Sequence, residues 1–349
     1  MRKKNSSANS LKKKLAQKTI IKTIYSNFKS KLEKVIKKKP FVVAVSGGPD
    51  SLALAALCKM YKDEKKTKIY FVLVDHGIRK NSKKESSFVK KLLKKNKITL
   101  KIIRNKKKIY NNVQSKAREI RYKLMLEFCK KCKLSYILTA HHSDDQIETF
   151  LIRLSRGSGV QGLSSMKHLT KLKRNVKIFR PLLDLKKKDL VFTAKHIFKK
   201  FVNDPSNKDK KFLRTRVRSL AASFEKSGIH HDQIIKSINN LADTRDTLDK
   251  YFNKIIKDCI RKYRNKIVID LEKLNMETLE IKLKVLSYTL KKFSHSYYPP
   301  RSKKVINLLK QFALKDRTKL TLGGCILQKS ANNLIITKEK AKKSKILKI

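Results

Sequence analysis

A glycine- and serine-rich loop at residues 46–51 carries residue types that bind phosphate groups: Ser46-Gly47-Gly48-Pro49-Asp50-Ser51. Its two glycines allow a tight turn and a close approach of the backbone to a ligand, and Pro49 suits the first position of a helix. The amides exposed at such a helix start, with the hydroxyls of Ser46 and Ser51, form a nest for phosphate oxygens. The Lys-Ser/Thr ending of a Walker A loop is absent. We call this segment the SGGPDS loop and expect it to bind a polyphosphate.

Asp50 distinguishes the SGGPDS loop from a plain structural corner. The alternative is a strand–turn–helix corner, in which an acid at the helix start interacts favourably with the helix dipole. A carboxylate beside bound phosphates would repel them, however, unless a Mg²⁺ ion bridged the two. The position of Asp50 therefore predicts a magnesium–nucleotide complex, with Asp50 as a ligand of the metal.

A second acidic group follows a short apolar run at residues 136–140. Asp144, Asp145 and Glu148 share one side of a predicted helix, opposite its apolar stripe, and we expect them to face a crevice at the strand ends. In so basic a chain they are candidates for binding a metal, with Asp145 as the second magnesium ligand, and for binding an amine. The stretch from Ser143 also fits a capping box. We expect both roles.

Four arginines are candidates for contacts with substrate or phosphate groups. Arg118 and Arg121 lie one turn apart beside the apolar stripe of a predicted helix at 112–131, so they flank a buried face and are placed to meet an anion. Arg153 and Arg156 stand further along, in a segment that contains glycine and serine.

Histidine and cysteine pairs give the sequence two other candidate metal sites. His141 and His142 lack a third and fourth ligand at zinc spacing, so zinc is not expected. Cys129 and Cys132 form a single CxxC pair at the end of a predicted helix, without a second such pair, and we interpret them as ordinary helix-end residues. The five cysteines are too few and too irregular for a disulfide framework, which favours a reducing cytoplasm.

Short apolar strands and helices alternate in the first half of the chain. Strands are predicted at residues 41–45, 69–75, 98–103 and 136–140, and helices at residues 51–61, 86–95, 112–131 and from about 143. This alternation predicts an α/β fold with a doubly wound parallel sheet. Ligands of such sheets bind beyond the carboxyl ends of the strands, where both the SGGPDS loop and the acidic group fall.

The alternation stops after about residue 225. Basic, mostly helical segments follow, and a hairpin-like pair of strands is predicted around Gly323 and Gly324. We therefore divide the chain into a basic N-terminal arm (1–36), a catalytic domain (37–225) and a smaller, basic, mostly helical domain that ends in a hairpin (226–349).

Charge and hydropathy limit the classes of function. The 349 residues include 89 Lys and Arg against 27 Asp and Glu, a formal net charge of +62. A field of that sign and size attracts a polyanion, and nucleic acid is the expected one. Charge alone does not choose between RNA, DNA and anionic lipid. No apolar run is long enough to span a membrane, and the basic N-terminus lacks the apolar core of a secretion signal.

Further segments follow the SGGPDS loop in a fixed order: VDHGIR (74–79), AREIRY (117–122), TAHHSDDQIET (139–149), RLSRGSGVQGL (153–163), RPLL (180–183), NDPSN (203–207) and FLRTRVR (212–218). The SGGPDS loop resembles the PP-loop of the ATP pyrophosphatase family. Together, over roughly residues 40–220, the segments resemble the tRNA(Ile)-lysidine synthetases of that family. One such motif is weak evidence, whereas the ordered set is strong.

The resemblance implies a two-step reaction that uses ATP and Mg²⁺ in the cytoplasm. The PP-loop holds the pyrophosphate end of ATP, and the wobble cytidine of the isoleucine tRNA with a CAU anticodon becomes adenylated. L-lysine then displaces AMP. The family implicates acids of the loop and of the later helix, which correspond here to Asp50 and Asp145. Asp144 and Glu148 stay candidates for the carboxylate that takes the proton from lysine, and a homodimer is one option for the oligomeric state.

The C-terminal part resembles the family more loosely. Longer relatives carry a further barrel domain, and we expect residues 229–349 to be too few to hold one. A PP-loop tRNA thiolase is the nearest alternative and would need an iron–sulfur cluster. A PP-loop amidotransferase partner is a less favoured alternative, because the sequence contains no glutaminase domain. A nonenzymatic basic RNA-binding protein would bind RNA with steep salt dependence and ignore ATP.

Overall fold

The computed structural model describes residues 2–78, 81–105, 113–172, 175–203, 209, 211–294, 296, 299–314 and 319–339, with side chains omitted at 2–18, 113 and 114. Contacts divide the chain into two compact units, Met1–Ala242 and Asp243–Ile349. The predicted domain limits at residues 36 and 225 stay predictions. No helix of the described part is long and apolar enough to cross a membrane.

The first unit contains a six-stranded sheet in the order β3-β2-β1-β4-β6-β5. Its strands are β1 (Phe41–Val45), β2 (Ile69–Asp75), β3 (Leu100–Arg104), β4 (Tyr136–Leu138), β5 (Leu169–Lys171) and β6 (Lys177–Phe179). All neighbours pair in parallel except β5, which runs antiparallel to β6. The predicted parallel sheet is confirmed, and β5 and β6 extend it beyond the prediction.

The helices of the chain as far as residue 259 precede, connect or follow these strands. They are α1 (Arg2–Ile36), α2 (Pro49–Lys65), α3 (Ser82–Lys95), α4 (Val113–Lys131), α5 (Ser143–Leu154), α6 (Val160–Leu163), α7 (Lys187–Phe198), α8 (Leu213–Ser219), α9 (Ala221–Lys226) and α10 (His231–Cys259). The last of these contains the boundary between the two units.

Alternating residues of β1 define the two faces, because successive side chains of a strand point to opposite sides. Phe41 and Val43 belong to one apolar core with residues of α1, α2, α3 and α7, whereas Val42 belongs to a second core with residues of α4. The fully buried residues Phe28 and Leu32 place the second half of α1 in the first core. The sheet is therefore doubly wound, as predicted.

The second unit is built on a five-stranded antiparallel sheet in the order β7-β8-β11-β10-β9. Its elements are β7 (Ile260–Lys262), β8 (Lys266–Asp270), α11 (Leu271–Asn275), α12 (Leu279–Phe293), α13 (Ser302–Leu314), β9 (Lys319–Leu322), β10 (Cys325–Ser330) and β11 (Asn333–Lys338). Its apolar core joins α12 and α13 to the sheet.

The predicted terminal hairpin is confirmed, and it is part of this larger sheet. Gly323 and Gly324 connect β9 to β10 with positive φ angles of 63° and 76°. Positive φ at both residues of a two-residue loop is the geometry that a tight hairpin needs, and glycine adopts it without strain.

Candidate active site

The SGGPDS loop connects β1 to α2 and is held in shape by Ser51. The Ser51 hydroxyl accepts hydrogen bonds from the backbone N–H groups of Ser46 and Gly47, both at 3.1 Å. It donates to the carbonyl of Gly48 at 3.0 Å. The loop thus has a fixed backbone at the start of α2, where helix amides favour an anion.

Gly47 meets two requirements that exclude other residues. Its φ of +92° lies in a region that side-chain-bearing residues rarely adopt, and an added Cβ would lie 2.5 Å from Cγ2 of Val89. Its carbonyl also accepts a hydrogen bond from the N–H of Val202 at 3.0 Å. The backbone therefore approaches its neighbours as closely as a glycine allows.

Asp50 lies in the first turn of α2 and turns its carboxylate toward the start of α5. Its Oδ2 is 3.7 Å from Nε2 of His142. Its Oδ1 is buried and has no hydrogen-bond partner among the residues described. A buried carboxylate oxygen without a partner is costly, so it marks a place where a ligand or a metal would be stabilised.

His142 joins three carboxylates, and the sequence had not singled it out except as a weak zinc candidate. Its ring, 2% exposed, lies 3.5 to 3.7 Å from the carboxylates of Asp145, Asp144 and Asp50. Burial by itself lowers the pKa of His142, but the three carboxylates outweigh burial and raise that pKa to about 10. The imidazole is therefore a cation at neutral pH and holds the acids together.

The capping of α5 differs from the prediction by one residue. The N-cap is His142, whose N–H donates to Asp145 Oδ2 at 3.2 Å, so the box runs from His142 to Asp145. The predicted box from Ser143 to Gln146 is wrong, because Gln146 instead pairs its side-chain amide with the backbone of Met166 at 2.8 and 3.0 Å. The acidic first turn nevertheless stabilises the helix start as expected.

Asp144 binds the backbone of a neighbouring helix. Its Oδ2 accepts a hydrogen bond from the N–H of Lys187, the first residue of α7, at 2.9 Å. Burial raises the pKa of Asp144, but His142 and the Lys187 N–H outweigh burial and hold that pKa well below its usual range. Asp144 is therefore an ionised anchor between α5 and α7, and a weak base.

Glu148 forms a close ion pair that the sequence did not reveal. Its Oε1 accepts from Nε of Arg218, on α8, at 2.7 Å, and its side chain is only 5% exposed. Its Oε2 is buried and has no hydrogen-bond partner in the described part of the chain. Glu148 and Asp50 thus each keep one unused oxygen inside the site. Arg218 belongs to the FLRTRVR motif, which was the available signal.

The burial of α5 contradicts the predicted amphipathic pattern. The apolar stripe predicted for this helix consists of Ile147, Phe150, Leu151 and Leu154. The buried residues are instead Ser143, Gln146 and Glu148, whereas Leu154 is 51% exposed. The helix turns its polar side inward because that side forms the hydrogen bonds and ion pairs of the site. The three acids lie together as expected, although the apolar stripe opposite them is not part of a core.

Arginine and histidine side chains line the adjoining strand ends. Arg121 donates from Nε to Nε2 of His76 at 3.3 Å. Arg118 is exposed and lies over the ring of Tyr122. Burial, with help from Arg180 and Arg118, lowers the pKa of His141 to about 3, so that ring is neutral. Positive charge near these strand ends suits a bound anion.

Arg153 and Arg156 are placed differently from each other. The Arg153 guanidinium donates to the carbonyls of Gly162 and Ser165, at 2.6 and 3.4 Å, and so fixes the loop around α6. Arg156 is exposed. We assign Arg153 a positioning role, and the phosphate contacts proposed for both stay predictions. Arg79 and residues 204–207 of the predicted motifs lie outside the described residues.

The acids fit a magnesium ion better than a closed metal site. Within the described ranges no group of three or more His, Cys, Asp or Glu side chains is arranged to hold a metal. Mg²⁺ usually binds through one or two carboxylates plus phosphates and water, and the unpartnered oxygen of Asp50 supplies such a ligand.

Cys129 is buried in the α4 core, where burial raises its pKa to about 12. An inert thiol fits its interpretation as an ordinary helix residue.

Comparison with known proteins identifies the same domain. A family model described as a PP-loop domain matches residues 19–222. A tRNA(Ile)-lysidine synthase of Wolbachia pipientis wMel is 35% identical over 305 residues, which are 86% of this chain and 70% of the relative. The enzyme of the same name from Orientia tsutsugamushi is 34% identical over 308 residues, 85% of this chain and 69% of the relative.

A solved structure shares the fold. The U34-tRNA thiolase NcsA from Methanococcus maripaludis, with its [4Fe-4S] cluster, superimposes with a TM-score of 0.56 at 20% identity, over 65% of this chain and 80% of the thiolase. A likeness at that identity is evidence for the PP-loop fold alone. The thiolase is therefore a distant structural neighbour of this chain.

Proposed function

The chain belongs to the tRNA(Ile)-lysidine synthase family of PP-loop enzymes, and from this premise we propose that it converts the wobble cytidine of an isoleucine tRNA with a CAU anticodon to lysidine. Enzymes of this family are ATP-dependent ligases that act on tRNA. ATP adenylates the carbonyl oxygen of the base and releases pyrophosphate. The amine of L-lysine then adds to the ring carbon that bears this oxygen and expels AMP. One C–N bond forms at that carbon and one C–O bond breaks.

One observation carries the proposal: a rigid phosphate-binding loop at a helix start lies beside a carboxylate with an unused buried oxygen. The amides of the SGGPDS loop would bind the polyphosphate of ATP. Asp50, and Asp145 beside it, would hold Mg²⁺ with the phosphates. When bound, that ion would neutralise phosphate charge and stabilise the departing pyrophosphate.

His142 reduces the cost of collecting acids next to a polyphosphate. Three carboxylates around one phosphate site would repel it. The imidazolium of His142, 3.5 to 3.7 Å from each of them, offsets part of that charge and fixes their orientation. We propose that His142 is a positioning residue.

Glu148 is the carboxylate best placed to receive the lysine amine. Asp144 accepts a hydrogen bond from the Lys187 N–H. Glu148 instead keeps Oε2 free of hydrogen bonds within the described residues, beside the Arg218 guanidinium. Free lysine has an amine pKa of about 10.4, so it must lose a proton before it attacks. A neighbouring guanidinium lowers the pKa of a bound ammonium, and Glu148 would accept the proton.

The remaining partners are proposed on charge and family. Unit Asp243–Ile349, rich in Lys and Arg, would bind the tRNA body through its phosphates. Arg118, Arg121, Arg153 and Arg156 would contact or support the bound substrates. A cytoplasmic location follows from a tRNA substrate, and a homodimer stays a hypothesis that sedimentation of the purified chain would test.

Purified protein, ATP, L-lysine and the matched tRNA transcript test the proposal directly. We expect AMP and pyrophosphate release that depends on the tRNA, and lysine incorporation that changes the mass of a single cytidine. A tRNA whose wobble cytidine is replaced by uridine is the matched control and is expected to stay unmodified. Incorporation of sulfur or ammonia in place of lysine would refute this assignment.

A further inference from the structure

The amino edge of the first sheet, opposite the SGGPDS loop, has its own chemistry: every helix-to-strand connection there is rich in lysine. The last helical residues and the connections that enter β1, β2, β3 and β4 contain Lys37, Lys38 and Lys39; Lys65, Lys66 and Lys68; Lys94, Lys95 and Lys97; and Lys130, Lys131 and Lys133. Because the strands are parallel, these four connections lie along the same edge.

Helix dipoles do not account for so much charge. The carboxyl end of a helix carries roughly half a negative charge, which one nearby cation satisfies. Each connection carries three lysines, so roughly two positive charges remain at each. Within the part of the chain that the structure describes, Lys65 is the member of the twelve that lies within ion-pair distance of a carboxylate, and it meets those of Glu33 and Glu64. The edge is therefore strongly positive after local neutralisation.

Lys39 and two further lysines converge on a cleft at one part of this edge. Lys39 precedes β1, Lys177 begins β6, and Lys171 ends β5. Because β5 runs antiparallel to its neighbour, its carboxyl end reaches the amino edge. The cleft has a volume of about 470 Å³, and its other lining residues are Ser135, Tyr136 and Asn175. Ammonium, hydroxyl and amide groups together are a set that binds phosphate oxygens.

Two of these lysines are held together at a cost. Lys171 and Lys177 are directly opposite each other in the β5–β6 pair, and like charges in such a position are destabilising. Within the ranges that the structure describes, no carboxylate lies within ion-pair distance of Lys39, Lys171 or Lys177. A bound anion would remove the repulsion, which makes the cleft a site that is prepared for one.

We propose that the cleft formed by Lys39, Lys171 and Lys177 binds the phosphodiester backbone of RNA, as a second contact surface separate from the site that receives the reacting base. The two edges are about 17 Å apart along a five-residue strand such as β1. An anionic membrane surface would attract the same lysines by charge alone, so the test includes vesicle binding as a separate outcome. The choice of RNA rests on the proposed function.

Replacement of the three lysines by glutamine tests this site. We expect K39Q/K171Q/K177Q to bind tRNA with a log-affinity against log-salt slope that is shallower by about two to three, since each lost phosphate contact removes about 0.7 to 0.9 from the slope. The control K91Q/K123Q/K195Q removes the same charge from exposed lysines of α3, α4 and α7 and should leave the slope almost unchanged. K39R/K171R/K177R should retain the wild-type slope.

The outcomes separate this proposal from its rivals. Equal loss in the two glutamine triples would indicate a diffuse field and would overturn the site, as would no loss in either. Reduced binding to phosphatidylserine vesicles with an unchanged RNA slope would overturn it in favour of a membrane. If K39Q/K171Q/K177Q unfolds at a lower temperature, K39Q/K171Q alone is measured instead. Failure of the proposed reaction would appear as absent AMP release from the wild type, whatever the RNA slopes.

Discussion

The two edges of the first sheet hold their charged groups in different states of solvation. At the carboxyl edge, four acids are wholly or partly buried: Asp50, Asp144, Asp145 and Glu148. Asp145 binds the N-cap residue of its own helix, and each of the other three contacts a residue of a different element. At the amino edge the lysines are mostly exposed and are added in threes to short turns. The acids at the first edge are fixed by hydrogen bonds and ion pairs, whereas the lysines at the second edge are numerous and mostly exposed.

This difference separates the groups that take part in the reaction from the groups that attract a ligand over a distance. A reacting group must be held within a narrow range of geometry, so it is fixed by backbone N–H groups and neighbouring helices. A polyanion is attracted by summed charge over a wide distance, which exposed lysines supply without fixed rotamers. Variants at the carboxyl edge should therefore change rates, and variants at the amino edge should change salt dependence or stability.

The largest effect is expected for Asp50→Asn. It removes the charge that would bind Mg²⁺ while keeping the shape of the side chain, so the rate of AMP and pyrophosphate formation should fall about 10²-fold or more. Affinity for tRNA at fixed salt should change less than twofold, as measured by fluorescence anisotropy. Asp63→Asn, on the exposed side of the same helix and paired with Lys59, is the matched control and should keep full activity. A parallel loss of tRNA binding and turnover would contradict the separation of roles.

Glu148→Gln should divide the reaction into its two steps. With Glu148 as acceptor of the lysine proton, lysidine formation should fall on the order of 10²-fold, whereas pyrophosphate release in a single turnover should persist. Quench-flow measurement of both products on one sample checks the division. Glu119→Gln, on the exposed surface of α4, serves as control. If both steps fall equally, Glu148 supports the fold of the site through Arg218 and is not the base.

Gly47→Ala should affect stability and activity together. The added methyl would lie 2.5 Å from Val89, at a φ of +92°, so either the loop or α3 must move. We expect a loss of about 1–3 kcal/mol in the free energy of unfolding, measured by urea denaturation, and weaker ATP binding. Gly159→Ala is the control, because its φ is −75° and nothing lies within 4 Å of its added Cβ. Wild-type ATP affinity in Gly47→Ala would show that the loop tolerates the shift.

The sequence allowed the sheet and the SGGPDS loop to be predicted because both depend on local patterns. Apolar runs such as Phe41–Val45 and the adjacent glycines carry their own signal. The three-residue strands β5 and β6 did not, since a pattern of alternation needs more positions. The inward-facing polar side of α5 depends on contacts between residues 20 to 70 apart in sequence, the pair of Glu148 and Arg218 among them, and periodicity does not contain these contacts.

The ends of α3 and α4 at the amino edge coincide with the predicted ends at residues 95 and 131, although lysine stands where glycine is usual. Lys97 and Lys133 have φ angles of 56° and 52°. After α4, the N–H of Lys133 binds the carbonyl of Lys130 and the N–H of Leu134 binds that of Cys129. This is the Schellman arrangement, whose left-handed residue is most often glycine. A left-handed lysine costs about 1 kcal/mol.

Lys133→Gly and Lys133→Gln together separate the conformational cost from the effect of charge, and they are expected to give the smallest differences. Glutamine removes the charge and keeps the Cβ, so it should lower the free energy of unfolding slightly through loss of the interaction with the helix end, by about 0.3–1 kcal/mol. Glycine removes the charge and the strain, so it should be about 1 kcal/mol more stable than glutamine. Urea denaturation of both variants at one salt concentration gives this difference.

Neither variant should alter lysidine formation, because Lys133 lies at the edge opposite Asp50. Lys97→Gly and Lys97→Gln repeat the test at the end of α3, where the N–H groups of Lys97 and Ile98 bind the carbonyls of Lys94 and Leu93. If the glycine variant is no more stable than the glutamine variant at either position, the left-handed conformation of these lysines does not lower the free energy of unfolding. If glycine is better at both, the amino edge retains its lysines at a cost in stability, which fits a role for their charge outside the fold itself.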